Sequence, residues 1–369
     1  MKKSLLALAV LGAYAGVASA QSSVTLYGTL DVAGKYVKTD GYDRRISEST
    51  DGINSSQLGF RGVEDLGGGL KAGFTYLAGI NPNNGDSNIA VPVVASNNGS
   101  GSNARSQFFN RRSTVSLFGN WGEIRLGRDY TPDFWSQTID DAFGTNGLGS
   151  SLNVRQLYAG TRRDNSIGYF LPANIGGFYG QAMVASAYGT NNGGGGQTAT
   201  TDKFGRYVGG RIGFAAGPFD VAAAYADQRR NDLIVGGSTP RQSTWNIGGS
   251  WDFGVAKVLG YYDHEDLNTS PIERKEDVWH ISGVIPFGQS EVHVGYTNSK
   301  LKPSQGASTT VDQWAATYQY NLSKRTALYA TASRLDNKDN TTLALPGSPG
   351  ATQVNGKSSG AEFGIRHFF

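Results

Sequence analysis

Gly360-Ala-Glu-Phe-Gly-Ile-Arg-His-Phe-Phe369 reads as a β-strand running to the C-terminus, and its reading decides the fold. Ala361, Phe363, Ile365, His367 and Phe369 fall on one face, and Glu362, Gly364, Arg366 and Phe368 on the other, at the two-residue period of a strand. One face is apolar and ends in an aromatic ring; the other carries charge. An aromatic strand left at a sheet edge needs a partner, and barrel closure supplies one. The expectation is a transmembrane barrel with strands apolar toward lipid and polar toward a lumen, joined alternately by short turns and long loops.

The N-terminus is set apart from that pattern. Lys2 and Lys3, the apolar run Leu5 to Val17 and the small residues Ala18-Ser19-Ala20 form a secretory signal over residues 1–20, which leaves residues 21–369 as one barrel domain. The apolar run is shorter than the ~20 residues a spanning helix needs. Mean hydropathy is −0.35, which excludes a helical membrane protein. With 52 Gly, 18 Tyr, 17 Phe and no Cys, the composition is that of a strand-and-turn protein held by hydrogen bonds rather than disulfides. Loss of Lys2 and Lys3 leaves 31 basic against 30 acidic residues, a net charge of +1 that gives no support to nucleic-acid binding.

Val24–Val32 alternates with Val24, Leu26, Leu30 and Val32 outward, and is the natural partner of the last strand. Seven hairpins follow, beginning with 56–63 and 70–76, then 113–118 and 123–127, and ending with 313–320 and 326–333. Gly/Asn/Ser/Thr-rich stretches separate them: 79–110, 191–200, 236–239, 300–310 and 337–356. The spacing predicts sixteen antiparallel strands, and a barrel that wide leaves an aqueous lumen. Trp245, Trp251, Trp279, Tyr296, Tyr318 and Tyr320 stand at strand ends, as interfacial girdles require.

Gly59-Phe-Arg-Gly-Val-Glu-Asp-Leu-Gly-Gly-Gly-Leu-Lys-Ala72, Val115–Tyr130 and the terminal Phe-Phe resemble the general, trimeric porins of Gram-negative bacteria, in the branch typical of β-proteobacteria. The likeness spans essentially the whole mature chain. It implies a sixteen-stranded outer-membrane barrel, three per assembly, whose third long loop folds inward and narrows the channel, with the terminal strand recognised by the barrel-insertion machinery. Arg128–Gly160 matches that loop in position and length. Gln57 departs from the family, where many relatives carry a basic residue.

The segment Asp129–Gly160 carries Pro132, Phe134, Trp135, Ile139, Phe143, Leu148 and Leu152, too much apolar surface to leave solvated, and packing against the inner wall accounts for it. The alternative is an external cap. With the loop inside, Asp133, Asp140 and Asp141 would face the inward Arg61 and Arg112, joined by Arg162 or Arg163, and opposed charges would set a transverse field across the pore constriction. The same arginines could instead satisfy Glu64, Glu123 and loop carboxylates. Catalysis finds no footing: His264, His280, His293 and His367 lie in separate contexts, no Cys or His pair has metal-ligand spacing, and Gly356-Lys357-Ser358 lacks the P-loop glycine at Ala351. A lipase would have only His367 to offer. No cofactor is expected.

These features point to passive diffusion of small hydrophilic solutes and ions, with a modest anion preference. A channel with a saturable site for one nutrient class and a structural or adhesive outer-membrane protein are the alternatives. Expected surroundings are outer-membrane lipid and lipopolysaccharide. The expected trimer wall comprises Val24–Val32, Leu58–Val63 and Leu70–Tyr76, where Gly28, Gly62 and Ala72 lower the outward bulk.

Overall fold

The structure, a computed structural model, describes residues 23–86, 108–158, 160–173, 175–186, 206–230, 240–269 and 271–369. The expected leader 1–20, the expected loop stretches 191–200 and 236–239 and most of 79–110 lie outside these residues.

Strand β1 (Ser23–Thr39) pairs antiparallel with β17 (Lys357–Phe368), from Thr29 opposite Phe368 to Thr39 opposite Ser358. The first and last strands thus close the ring as expected, although the pairing begins only near Gly28, whose N–H and C=O bond the backbone of Phe369 at 3.1 Å each. On its other side β1 meets β2 (Arg45–Thr50) along its second half and β3 (Gln57–Gly67) along its first. Those two segments make one stave, interrupted between Asp51 and Ser56. The sheet continues through β4 (Leu70–Gly79), β5 (Arg112–Gly119), β6 (Gly122–Tyr130), β7 (Arg162–Phe170) and β8 (Phe178–Ala185). Then come β9 (Tyr207–Ala216), β10 (Phe219–Arg229), β11 (Arg241–Asp252), β12 (Lys257–Asn268) and β13 (Glu273–Phe287). Last before closure are β14 (Ser290–Pro303), β15 (Thr309–Asn321) and β16 (Thr326–Lys338). With β2 and β3 as one stave, the described residues form a closed antiparallel barrel of sixteen.

Burial is inverted relative to a water-soluble domain. Phe363, Val24 and Leu26 are 70%, 67% and 55% exposed, while Asp31 and Glu362 are 0% exposed. Apolar side chains outside and polar ones inside are what hydrocarbon demands of a spanning barrel, because the closed ladder satisfies every spanning backbone group. No helix among the described residues is long and apolar enough to cross a membrane.

Short turns lie at one end of the barrel, such as Gly68-Gly69 between β3 and β4, where both residues have positive φ (+61° and +82°) and match the twist of the flanking strands. At the other end several strands run further than their apolar alternation. β12 and β13 continue to Asn268 and from Glu273, and Lys300–Lys302, expected in a loop, belong to β14. Backbone pairing persists past the lipid boundary, where lysines and carboxylates replace apolar residues and the period-two signal fades.

A Cβ at Gly28 would lie 2.3 Å from the Phe369 ring, and one at Gly62 would lie 2.5 Å from the Phe74 ring. Both glycines thus lie under rings of their own chain.

Candidate functional site: the channel constriction

The third loop leaves β6 at Thr131, whose N–H donates to the Thr161 carbonyl at 3.0 Å and closes the neck of the loop. Pro132 then starts helix α1 (Pro132–Ile139), with Thr131 extended as its N-cap. Proline suits that position because its missing N–H would have had no helical partner. The helix lies against the inner faces of β8–β11. Gln137 Nε2 donates to Asp263 at 2.6 Å and Asn246 Nδ2 to the Asp133 carbonyl at 3.1 Å.

Beyond the helix the loop follows the inner wall. The Ala142 N–H donates to Ser282 Oγ (3.1 Å), and Phe143 covers Gly295, where a Cβ would come within 2.6 Å of its ring. At the tip, Ser55 donates to Asn146 (2.8 Å) and Gln313 to the Leu148 carbonyl (2.9 Å). Leu148 is buried with Val37, Val154, Val311, Leu335 and Leu345, an apolar cluster that also anchors the connection before β17. On the return, fully buried Arg155 is shared by Asp263 (2.6 Å), Glu265 and Glu276 (3.9 Å). Burial works to lower its pKa, but the three carboxylates outweigh burial and raise it. Glu276 also accepts the Gln156 and Leu157 N–H groups, at 2.8 and 2.7 Å. The loop is therefore inside, as expected, pinned along β8–β17.

That course settles the three acids differently from the expectation. Asp133 accepts the Tyr207 hydroxyl at 2.6 Å, and burial raises its pKa against the pull of that bond and of Arg163. Asp140 presses on Gly248, and burial pushes its pKa up to about 7. Asp141 accepts the Phe143 N–H (2.8 Å) and the Ser151 hydroxyl (2.6 Å), with His280 Nε2 at 3.4 Å. All three are buried between loop and wall rather than arrayed across open lumen from Arg61 and Arg112. Tyr207 of the wall holds Asp133, Ser151 of the loop and His280 of the wall hold Asp141, and Asp140 is shut in against Gly248. The partly exposed residues over Trp135–Asn146 are Trp135, Thr138, Ile139, Ala142, Gly144, Thr145 and Asn146, and none carries charge.

The arginines sit on the other side, on the staves loop 3 leaves uncovered. Arg61 is exposed, with its guanidinium 5.3 Å from the Tyr27 ring centroid, and makes no ion pair among the described residues. Arg112 bonds Asp129 at 2.6 Å and lies 5.4 Å from the Tyr130 ring. Arg162 donates to the Tyr130 hydroxyl (2.7 Å) and lies 4.2 Å from the same ring. Arg163 is buried over Tyr207 (5.0 Å) behind the loop, so of the pair Arg162/Arg163 only Arg162 joins Arg112 around Tyr130.

Further arginines extend the cluster: Arg111 pairs with Asp51 (3.1 Å), Arg125 with Glu123 (2.7 Å) and Asp129 (2.5 Å), and Arg128 with Asp164. Alternation places Arg125 inward, so its role was open to sequence reasoning. Arg155 had no such signal, since nothing local in a loop marks which wall it will meet. Guanidiniums on one side of the lumen thus stand apart from a loop edge whose partly exposed residues over Trp135–Asn146 carry no charge.

The family model described as Gram-negative porin matches residues 7–340. The chain is 38% identical to outer membrane porin protein 32 of Delftia acidovorans across the full length of both, and 28% identical to an outer membrane porin of Bordetella pertussis, again across both. Among solved structures it resembles the anion-selective porin from Comamonas acidovorans, with a TM-score of 0.81 and 34% identity over 94% of this chain and 100% of that one. A sixteen-stave barrel with a polar lumen, an inward loop and these relatives places the chain in the Gram-negative porin family, in the outer membrane.

Proposed function

We propose that the chain forms a water-filled channel for passive diffusion of small hydrophilic solutes and ions, with a preference for anions. The observation that carries this reading is the separation of charge by loop 3. Its carboxylates are used against the wall behind it, while Arg61 and Arg162 stand on the open side without a carboxylate partner among the described residues. The Debye length is about 8 Å at physiological salt, so these near charges govern an ion in the constriction more than distant loop charges do. The similarity to an anion-selective porin supports the same sign.

Arg61→Ala combined with Arg112→Ala is expected to move the reversal potential in a salt gradient toward cations, all the more because Arg112→Ala leaves Asp129 with one counter-ion fewer. An unchanged reversal potential at unchanged expression would overturn the assignment of the constriction. The reading extends to assembly: a homotrimer through the wall of β1, β3 and β4, within outer-membrane lipid and lipopolysaccharide, inserted by the barrel-assembly machinery after cleavage before Gln21. The family membership and the exposed Val24, Leu26 and Tyr76 on that wall support it.

A further inference from the structure

Tyr130 is the last residue of β6, where the strand gives way to loop 3. Its ring stacks on Phe134 of α1 (centroids 5.6 Å apart, 13° between planes) and leans on Trp135 at 5.2 Å. The loop helix therefore fixes the ring. The ring in turn takes two guanidiniums, Arg162 at 4.2 Å and Arg112 at 5.4 Å, and its hydroxyl accepts from Arg162 Nη2 at 2.7 Å.

The arginines gathered here are not equivalent. Arg111, Arg112 and Arg128 each have a carboxylate partner in Asp51, Asp129 and Asp164. Arg162 has none among the described residues. Its other side-chain hydrogen bond runs to the Thr161 hydroxyl at 3.0 Å, and its Nε is buried without a partner among the described residues. A carboxylate would hold this side chain but cancel its field. An aromatic face and a phenol oxygen hold a guanidinium while leaving its positive charge to act on the lumen.

We propose that Tyr130 is a positioning residue for ion selectivity, holding Arg162 as an uncompensated cation at the constriction and coupling its place to that of loop 3. The proposal rests on the anion-preferring channel reading. Ring and hydroxyl both contribute, so loss of the hydroxyl alone moves Arg162 less than loss of the ring.

The test is the anion-to-cation permeability ratio of the full-length protein in planar bilayers under a KCl gradient. Wild type, Arg162→Gln, Tyr130→Leu, Tyr130→Phe and the Tyr130→Leu/Arg162→Gln double variant are compared. A unit charge several ångströms from the ion path in a water-like medium is worth about a threefold change in that ratio. Arg162→Gln is expected to lower the ratio by about that factor, Tyr130→Leu to reproduce most of the fall, and Tyr130→Phe a smaller part of it. In the Arg162→Gln background, Tyr130→Leu should add nothing. A ring that merely props the loop would instead give an extra loss in that background together with a larger conductance, and that outcome overturns the proposal. So does a wild-type ratio in Tyr130→Leu when Arg162→Gln lowers it. If Tyr130→Leu does not assemble, Tyr130→Phe decides: a fall at unchanged conductance supports the proposal, and the wild-type ratio overturns it. A wild-type channel without anion preference would fail the underlying reading, a result separable from all of these.

Discussion

Asp140 shows how a residue suited to one role is drawn into another by its surroundings. Its carboxyl lies against Gly248, with Oδ2 buried and lacking a hydrogen-bond partner. Burial raises its pKa from 3.8 to about 7, with Asp220 adding to the rise and Arg211 and Lys257 opposing it. The folded chain therefore keeps the proton over a range where the unfolded chain has released it. Stability from this group is greatest below pH 3.8 and declines as pH rises toward about 7, the reverse of an ion-paired carboxylate. Asp140→Asn should flatten that slope. Thermal unfolding in detergent at pH 5 and pH 8 checks it: the wild type should lose more of its midpoint between the two than the variant. Equal losses would show that Asp140 ionises freely in the fold.

Among the elements, loop 3 is the one that enters the lumen, and its inward course is secured at several points along the wall. Arg155 is the deepest of these, one cation serving three buried carboxylates. Removing it leaves those charges facing each other without compensation, a class of change that costs about 3–5 kcal/mol. Arg155→Ala is expected to loosen the return arm of the loop, lower the unfolding midpoint and give larger, noisier single-channel conductance. A variant with wild-type current steps would mean the Leu148 cluster and the Glu276 bonds to backbone hold the loop unaided. Strand length is the matching lesson for the wall. The alternation in β12–β14 marks the part in lipid, whereas the hydrogen-bonded ladder extends beyond it.

For the whole molecule the decisive contact is the seam. The Phe369 ring fills the space a side chain at Gly28 would need, and a Cβ there would also come within 2.5 Å of the Gln57 carbonyl oxygen, which belongs to backbone and cannot swing away. Gly28→Val and deletion of Phe369 attack the same joint from its two sides. Both are expected to reduce the fraction of barrel that keeps its compact electrophoretic mobility in unheated detergent, as well as the yield in the outer membrane. Wild-type fractions in both variants would place closure in the remainder of the β1–β17 ladder.

The architecture was legible in the sequence because each stave carries its own instruction. Alternation in Gly360–Phe369 and Val24–Val32 states which side faces lipid, glycines mark the tight turns, and an even number of such staves can satisfy its backbone in a membrane only by closing. Inward Arg61 and Arg112 followed from the same parity. The partners of loop residues did not. Asp133, Asp140 and Asp141 share a sequence neighbourhood with the constriction, but Tyr207, Gly248 and Ser151 with His280 determine where they end, and most of those partners lie far along the chain. Arg155 meets its carboxylates across more than 100 residues. A strand side chain has two directions, chosen by a local period, whereas a loop side chain takes whichever distant group best satisfies its charge once the barrel has closed around it.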